Sequence, residues 1–288
     1  MLNWQELVRV VLVPLLVSAV IAGVGLWRRW LWTMPAAAGA GFLSGYALLG
    51  VPKLPPRDGT DWLFWGAVPV TALGIAGALT QRRGAWVLGA SAGAVAFALI
   101  RPLSQSGVSV AELYGIPLLL AGVGAVLCLA IDLAERRVGS LAMAAALCVV
   151  LGGTAVVVLS SNVRIVGLYG IAAAVALGPV AVAVLGSRLT VGRSVGLAAG
   201  RNIGIVAVPI AAGLLVAGRY YPDPGVSWTN FVVLMASPAL LPIAAALPGR
   251  RTWARGLAAV VLVALAVGCV AVPTALTAMK AAEGYSGP

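Results

Sequence analysis

The chain has 288 residues, 61% of them hydrophobic and 9% charged, with 19 basic against 8 acidic side chains and a net charge of +11. Its mean hydropathy is +1.05, and its charge content is far below the roughly 25% of a soluble domain, so a water-soluble fold is excluded and lipid must cover the surface. The basic residues fall in short groups between apolar runs, a pattern that orients a membrane protein and implies anionic lipid, not nucleic acid, as the polyanion.

A spanning helix needs about 20 apolar residues. Ten runs reach or approach that length, at 7–27, 31–51, 62–80, 85–101, 113–132, 140–160, 165–186, 195–218, 228–248 and 257–279. The first has only Arg9 against Glu6 ahead of its apolar stretch and is followed at once by Arg28 and Arg29, so it reads as a retained helix rather than a cleaved signal. The expectation is an all-α, polytopic transmembrane helix bundle of ten spans, forming one integral membrane domain over 1–288.

Every second connection is rich in arginine: Arg28 and Arg29; Arg82 and Arg83; Arg136 and Arg137; Arg188 and Arg193; Arg250, Arg251 and Arg255. The other side carries Arg9, Lys53, Arg57, Arg101, Arg164, Arg219 and Lys280, together with six of the eight acids, namely Glu6, Asp58, Asp61, Glu112, Asp223 and Glu283. Because basic loops stay cytoplasmic, both termini are expected to be non-cytoplasmic. The nine tryptophans fall near run ends, where an interfacial belt belongs. Leu-Tyr-Gly-Ile occurs at 113–116 and at 168–171, and Arg28, Arg82 and Arg136 are 54 residues apart. A duplicated hairpin would produce this, and so would any series of minimal helices joined by short turns.

Several chemistries are missing. The chain has no histidine, which removes bis-histidine haem, histidine zinc sites, Ser-His catalysis and histidine proton relays. No apolar run has an acid near its middle, so a proton-driven mechanism is disfavoured. Cys128, Cys148 and Cys269 all lie inside apolar runs, with neither disulfide nor metal-ligand spacing, and read as small core residues. No catalytic residue, metal site or cofactor is expected.

The clearest motif is Gly192, Gly196, Gly200 and Gly204, spaced by four at the start of the eighth run. Such a stripe lets another backbone approach closely; it either packs a neighbouring helix or lines a ligand path. Gly41 with Gly45, and Gly89 with Gly93, are shorter versions. Arg201 and Asn202 sit within the long stripe, with Arg193 two turns earlier, and Asp132 is the acid at a helix end on the same side. Arg201 either snorkels to cytoplasmic headgroups or, with a helix N-terminus and bare glycine backbone, binds a phosphate or carboxylate. In the ninth run Ser237-Pro238 and Pro242, and in the eighth Pro209, interrupt the helix; such breaks free carbonyls for a ligand or simply shape the bundle.

The most distinctive polar stretch runs from Lys53 through Pro55, Pro56, Asp58 and Asp61 to Trp62 and Trp65. Asp58 and Asp61 either hold a cation, act as acid and base, or serve as a solvated turn and helix cap. This segment resembles one in uncharacterised multi-pass membrane proteins of planctomycete-type bacteria. The resemblance implies a bacterial inner membrane and no particular activity. Two functions remain open: binding or passage of a small solute or lipid within the bundle, and a non-catalytic subunit or scaffold whose partners are membrane lipid, other membrane subunits or a second copy of the chain. An enclosed polar cavity at mid-membrane would favour the first, and a solid interior the second.

Overall fold

The computed structural model of the chain describes residues 4–28, 30, 32–50, 52–54, 56, 59–80, 85–106, 108–161, 164–190, 203–222, 225–247 and 252–284. The regular elements among them are all helical: α1 (Trp4–Arg28), α2 (Thr33–Leu49), α3 (Gly59–Thr80), α4 (Ala85–Ile100), a 3₁₀ helix (Arg101–Ser106), α5 (Val110–Val138), α6 (Ser140–Ser160), α7 (Arg164–Thr190), α8 (Ile203–Tyr220), α9 (Trp228–Ala236), a 3₁₀ turn (Ser237–Ala239), α10 (Leu240–Ala245) and α11 (Thr252–Gly284).

Eight stretches of the described residues are long and apolar enough to cross a membrane: Trp4–Arg28, Thr60–Leu79, Val110–Ile131, Ser140–Ser160, Arg164–Leu185, Ile203–Tyr220, Trp228–Ala245 and Thr252–Ala281. The other two expected runs are helices of 17 residues (α2) and 16 residues (α4), about 25 Å long at 1.5 Å per residue. The ninth run is not one helix but α9 and α10 joined by the 3₁₀ turn. Helix α5 outruns its apolar stretch, because Asp132 to Arg137 prolong it where hydropathy carries no helix signal.

The architecture is an axle inside a ring. Every residue of α8 from Ile203 to Gly218 is buried, and α8 touches α2, α3, α4, α5, α6, α7 and α9. Around it α2 lies beside α3, α3 beside α4, α4 beside α5, α5 beside α10, α10 beside α11, α11 beside α6, α6 beside α7, and α7 beside α2. Helix α1 sits outside, in the angle between α2 and α7. The consecutive helices α5 and α6 pack sparsely on each other, since the α9–α10 span lies between them. The outer faces of α1, α5 and α11 present Leu16, Val20, Leu118, Val126, Leu257 and Leu265, all exposed, as lipid contact requires.

Small residues set the closest approach. A Cβ on Gly45 of α2 would lie 2.5 Å from the Ala172 Cβ of α7 and 2.8 Å from Pro14 of α1; one on Gly41 would lie 2.6 Å from the Ala176 Cβ. The two-glycine motif, the shorter of those in the sequence, therefore joins three helices. Gly93 does the same for α4 and α5, with the Pro117 carbonyl 2.7 Å from its would-be Cβ. Of the long stripe, Gly192, Gly196 and Gly200 lie outside the described residues; Gly89 of the other short pair lies in α4.

Six of the long helices contain an internal proline, at 14, 69, 117, 179, 209 and 273. Pro179 leaves the Val175 carbonyl without its usual N–H donor. The carbonyls on either side of it are met from neighbouring helices: Ala174 accepts from the Cys148 thiol at 3.0 Å and Ala176 from the Ser18 hydroxyl at 2.6 Å. Side-chain donors on adjacent helices make such interruptions tolerable in lipid.

Cross-links fix the helix directions. Glu6 at the start of α1 pairs with Arg164 at the start of α7. Tyr220 at the end of α8 donates to Glu112 at the start of α5 at 3.4 Å, and Tyr221 donates to the Leu99 carbonyl at the end of α4 at 3.0 Å. Gly74, late in α3, lies against Pro35, early in α2. Each pair agrees with successive helices running in opposite directions. The repeated Leu-Tyr-Gly-Ile does not occupy equivalent places: Tyr114 is 54% exposed, whereas Tyr169 is 3% exposed and stacks on Tyr46 at 4.2 Å.

Candidate functional site

Of the residues singled out from sequence, Arg193, Gly196, Gly200, Arg201, Asn202 and Asp58 lie outside the described residues. Gly204, Asp61, Ser237 and Pro238 are described, and only the last two lie together.

Gly204 is buried in the first turn of α8, and a Cβ there would come 3.3 Å from the Ile131 Cγ2 of α5. This member of the stripe packs one helix on another. Asp61, 5% exposed, stands in the first turn of α3 and accepts the Lys53 amide at 3.3 Å. One turn on, the Trp65 indole N–H donates to the Lys53 carbonyl at 2.9 Å. The first turns of α3 thus hold both polar groups of one loop residue, which is the work of an anchor for the 52–56 loop.

Ser237 and Pro238 form the break in the ninth span, and both are buried. Proline has no amide hydrogen, so Pro238 cannot satisfy the Leu234 carbonyl four residues earlier. The Ser237 hydroxyl does so instead, at 2.8 Å, and Leu240 closes the turn by donating to the Ser237 carbonyl. The Leu234 carbonyl that the break would have offered to a ligand is therefore already occupied. Beside it lies a cavity of about 10 Å³, bordered by Leu127 of α5, Val150 of α6, Ala207 and Ala211 of α8, Met235 of α9, and Pro238. It stands near the middle of α5, α6 and α8 and of the α9–α10 span. Its walls are apolar and its volume is about that of one water, and a void without polar partners stays dry.

A polar cluster at the end of α8 was not foreseen. Three consecutive residues reach three different helices. Arg219 donates to the Val226 carbonyl at 3.2 Å and lies over the Trp228 ring, 5.0 Å from its centroid. Tyr220 meets Glu112, which also accepts from Ser109 at 2.9 Å, and Tyr221 meets Leu99. Nothing in the spacing of Arg219-Tyr220-Tyr221 announces this, because the partners are remote in sequence; the one local signal is an arginine between an apolar run and two amphipathic rings. Every donor named here already has a protein acceptor, so the cluster clamps the axle.

Among the described residues no three Cys, Asp or Glu side chains come together as metal ligands. Comparison of the chain with protein-family models, with curated proteins and with solved structures gives no match.

Proposed function

We propose that the chain is a ten-span platform or non-catalytic subunit of a bacterial cytoplasmic membrane, working through its lipid-facing and end surfaces rather than through a central path. The observation that carries this is α8. The helix on the bundle axis is buried from Ile203 to Gly218, and the mid-depth cavity beside it is apolar and water-sized. Moving a charged or strongly hydrated solute along that axis would need polar groups, and the side chains bordering that cavity are all apolar. The alternating directions support α2 and α4 as full crossings, with the 3₁₀ helix Arg101–Ser106 prolonging α4. The arginine-rich alternate connections support a cytoplasmic face at 28–29, 82–83, 136–137, 188–193 and 250–255 and termini on the other side. Partners on this reading are lipid and other membrane subunits or a second copy.

The test is cysteine accessibility. In a variant without native cysteines, single cysteines at Ala207, Ala211 and Leu214 are expected to stay unreactive to impermeant thiol reagents from either side of the membrane. Labelling at any of them would reveal a water path and overturn the platform reading.

A second reading, binding or passage of a small solute or lipid, is favoured by where the axle begins. Ile203 is fully buried, and Arg201 and Asn202 precede it directly in the chain. On this reading Arg193, Gly196, Gly200, Arg201, Asn202 and Gly204 hold an anionic group at the cytoplasmic end, with Ser237, Pro238, Asp58 and Asp61 as lesser contributors.

A further inference from the structure

We propose that α9 and α10 are two halves of a hinged span that bows at Ser237–Ala239, and that the cavity behind the break is the room it bows into. The backbone ladder is weakened twice in one turn. Pro238 removes the bond to the Leu234 carbonyl, and Pro242 removes the bond to the Pro238 carbonyl.

The bond that replaces the first is local. The Ser237 hydroxyl holds the Leu234 carbonyl within the outer half, so it survives a change in the direction of α10. The two halves are pinned at their far ends to the same partner, α11. Asn230 at the start of α9 donates to Thr274 at 3.1 Å, and Arg255 donates to the Leu247 carbonyl just beyond α10 at 3.1 Å. A strut fixed at both ends and weakened in the middle bends at the middle.

Behind that middle lies the cavity, floored by Ala207 and Ala211 of α8, whose small side chains flank Pro209 and leave the gap. The side chain nearest the movement is Met235, 6% exposed and unbranched, which can repack as the gap opens and closes. The amplitude is limited to the size of one water, so this is a repacking of the core and not a gate for solute.

The experiment uses the full chain, labelled with ¹³C at its methionine methyls, in lipid nanodiscs. Met235 is expected to show relaxation dispersion on the microsecond-to-millisecond scale and a pressure-induced shift several-fold larger than that of Met143, which is buried in α6 and does not border the cavity. Ala211→Leu, which fills the space, should abolish both signals. Ala207→Val is a smaller filling if leucine prevents folding. Flat dispersion with a pressure response equal to that of Met143 would overturn the proposal. So would dispersion shared by Met34 and Met143, which would mean that the whole bundle moves. None of these outcomes depends on whether α8 is accessible to water, so the hinge and the platform reading stand or fall separately.

Discussion

Ser18 of α1 donates its hydroxyl to the carbonyl of Ala176 in α7 across 2.6 Å, at a position with no exposed surface and 158 residues away in the chain. The bond sits in the three-helix junction where Gly41 and Gly45 admit Ala176 and Ala172. Ser18→Ala is expected to lower stability by about 0.6 kcal/mol, the average for interhelical hydrogen bonds in membranes, and by no more than about 1.7 kcal/mol. Gly45→Leu should cost more, because the side chain has nowhere to go and overpacking alone costs about 1–3 kcal/mol before the lost contacts are counted. Denaturant titration in mixed micelles would measure both. A Gly45→Leu protein as stable as Ser18→Ala would show that the three helices separate easily here.

Tyr221→Phe removes one of the three tethers at the C-terminal end of α8 while keeping the ring. A loss of about 1 kcal/mol is expected, appearing as faster amide exchange over 216–222 with 203–210 unchanged. Uniform acceleration along the whole helix would mean that the axle has no separately clamped end.

The substitution of a hydroxyl for a backbone amide at the break gives a sharp double-mutant test. Ser237→Ala leaves the Leu234 carbonyl unpaired in a buried site, at a cost of about 1–3 kcal/mol. Adding Pro238→Ala restores an amide donor and should recover at least half of that loss. If the double variant is no more stable than Ser237→Ala, the hydroxyl is not standing in for the missing donor.

Orientation is tested by labelling in intact cells lacking native cysteines. Ser286→Cys is expected to react with an impermeant thiol reagent and Gly84→Cys to be silent until the membrane is opened. The reverse pattern would turn the molecule over and place the arginine clusters outside.

Arg201 separates the two functional readings. Arg201→Lys keeps the charge and loses the planar fork. Anion binding through a bidentate contact predicts at least a tenfold loss of affinity for a phosphate-bearing lipid or solute in a nanodisc binding assay. Equal binding by both proteins would leave Arg201 as a headgroup contact and strengthen the platform reading.

The apolar runs were legible from composition, because in lipid a backbone must close its own hydrogen bonds and helices are the simple solution. Ends were less so. Helix α5 continues through Asp132, Glu135, Arg136 and Arg137 because helicity outlasts hydrophobicity, whereas the break in the ninth run was readable from Ser237-Pro238 and Pro242. The packing role of the shorter glycine pair was not legible from its spacing. Gly41 and Gly45 matter through Ala172, Ala176, Pro14 and Ser18 on two other helices, and no spacing within α2 reveals those partners. The tethers of Arg219, Tyr220 and Tyr221 were invisible for the same reason, since each partner comes from a different part of the chain. The stripe around Arg201 lies outside the described residues, apart from Gly204.

The enclosed axle also bears on the order in which the protein can be made. Of the described helices, α1 to α7 emerge from the ribosome before α8 and supply most of its wall; α9, α10 and α11 come after it. Helices α5 and α6, neighbours in sequence, leave a gap that the α9–α10 span and α11 fill. During synthesis the half-built ring therefore stands open on that side. The eighth helix can slide in sideways through the bilayer, and the last two spans then shut the opening behind it. A chain ended after residue 220 and released from the ribosome should thus have a central helix still reachable by lipid-borne crosslinkers, a contact that is lost in the full chain.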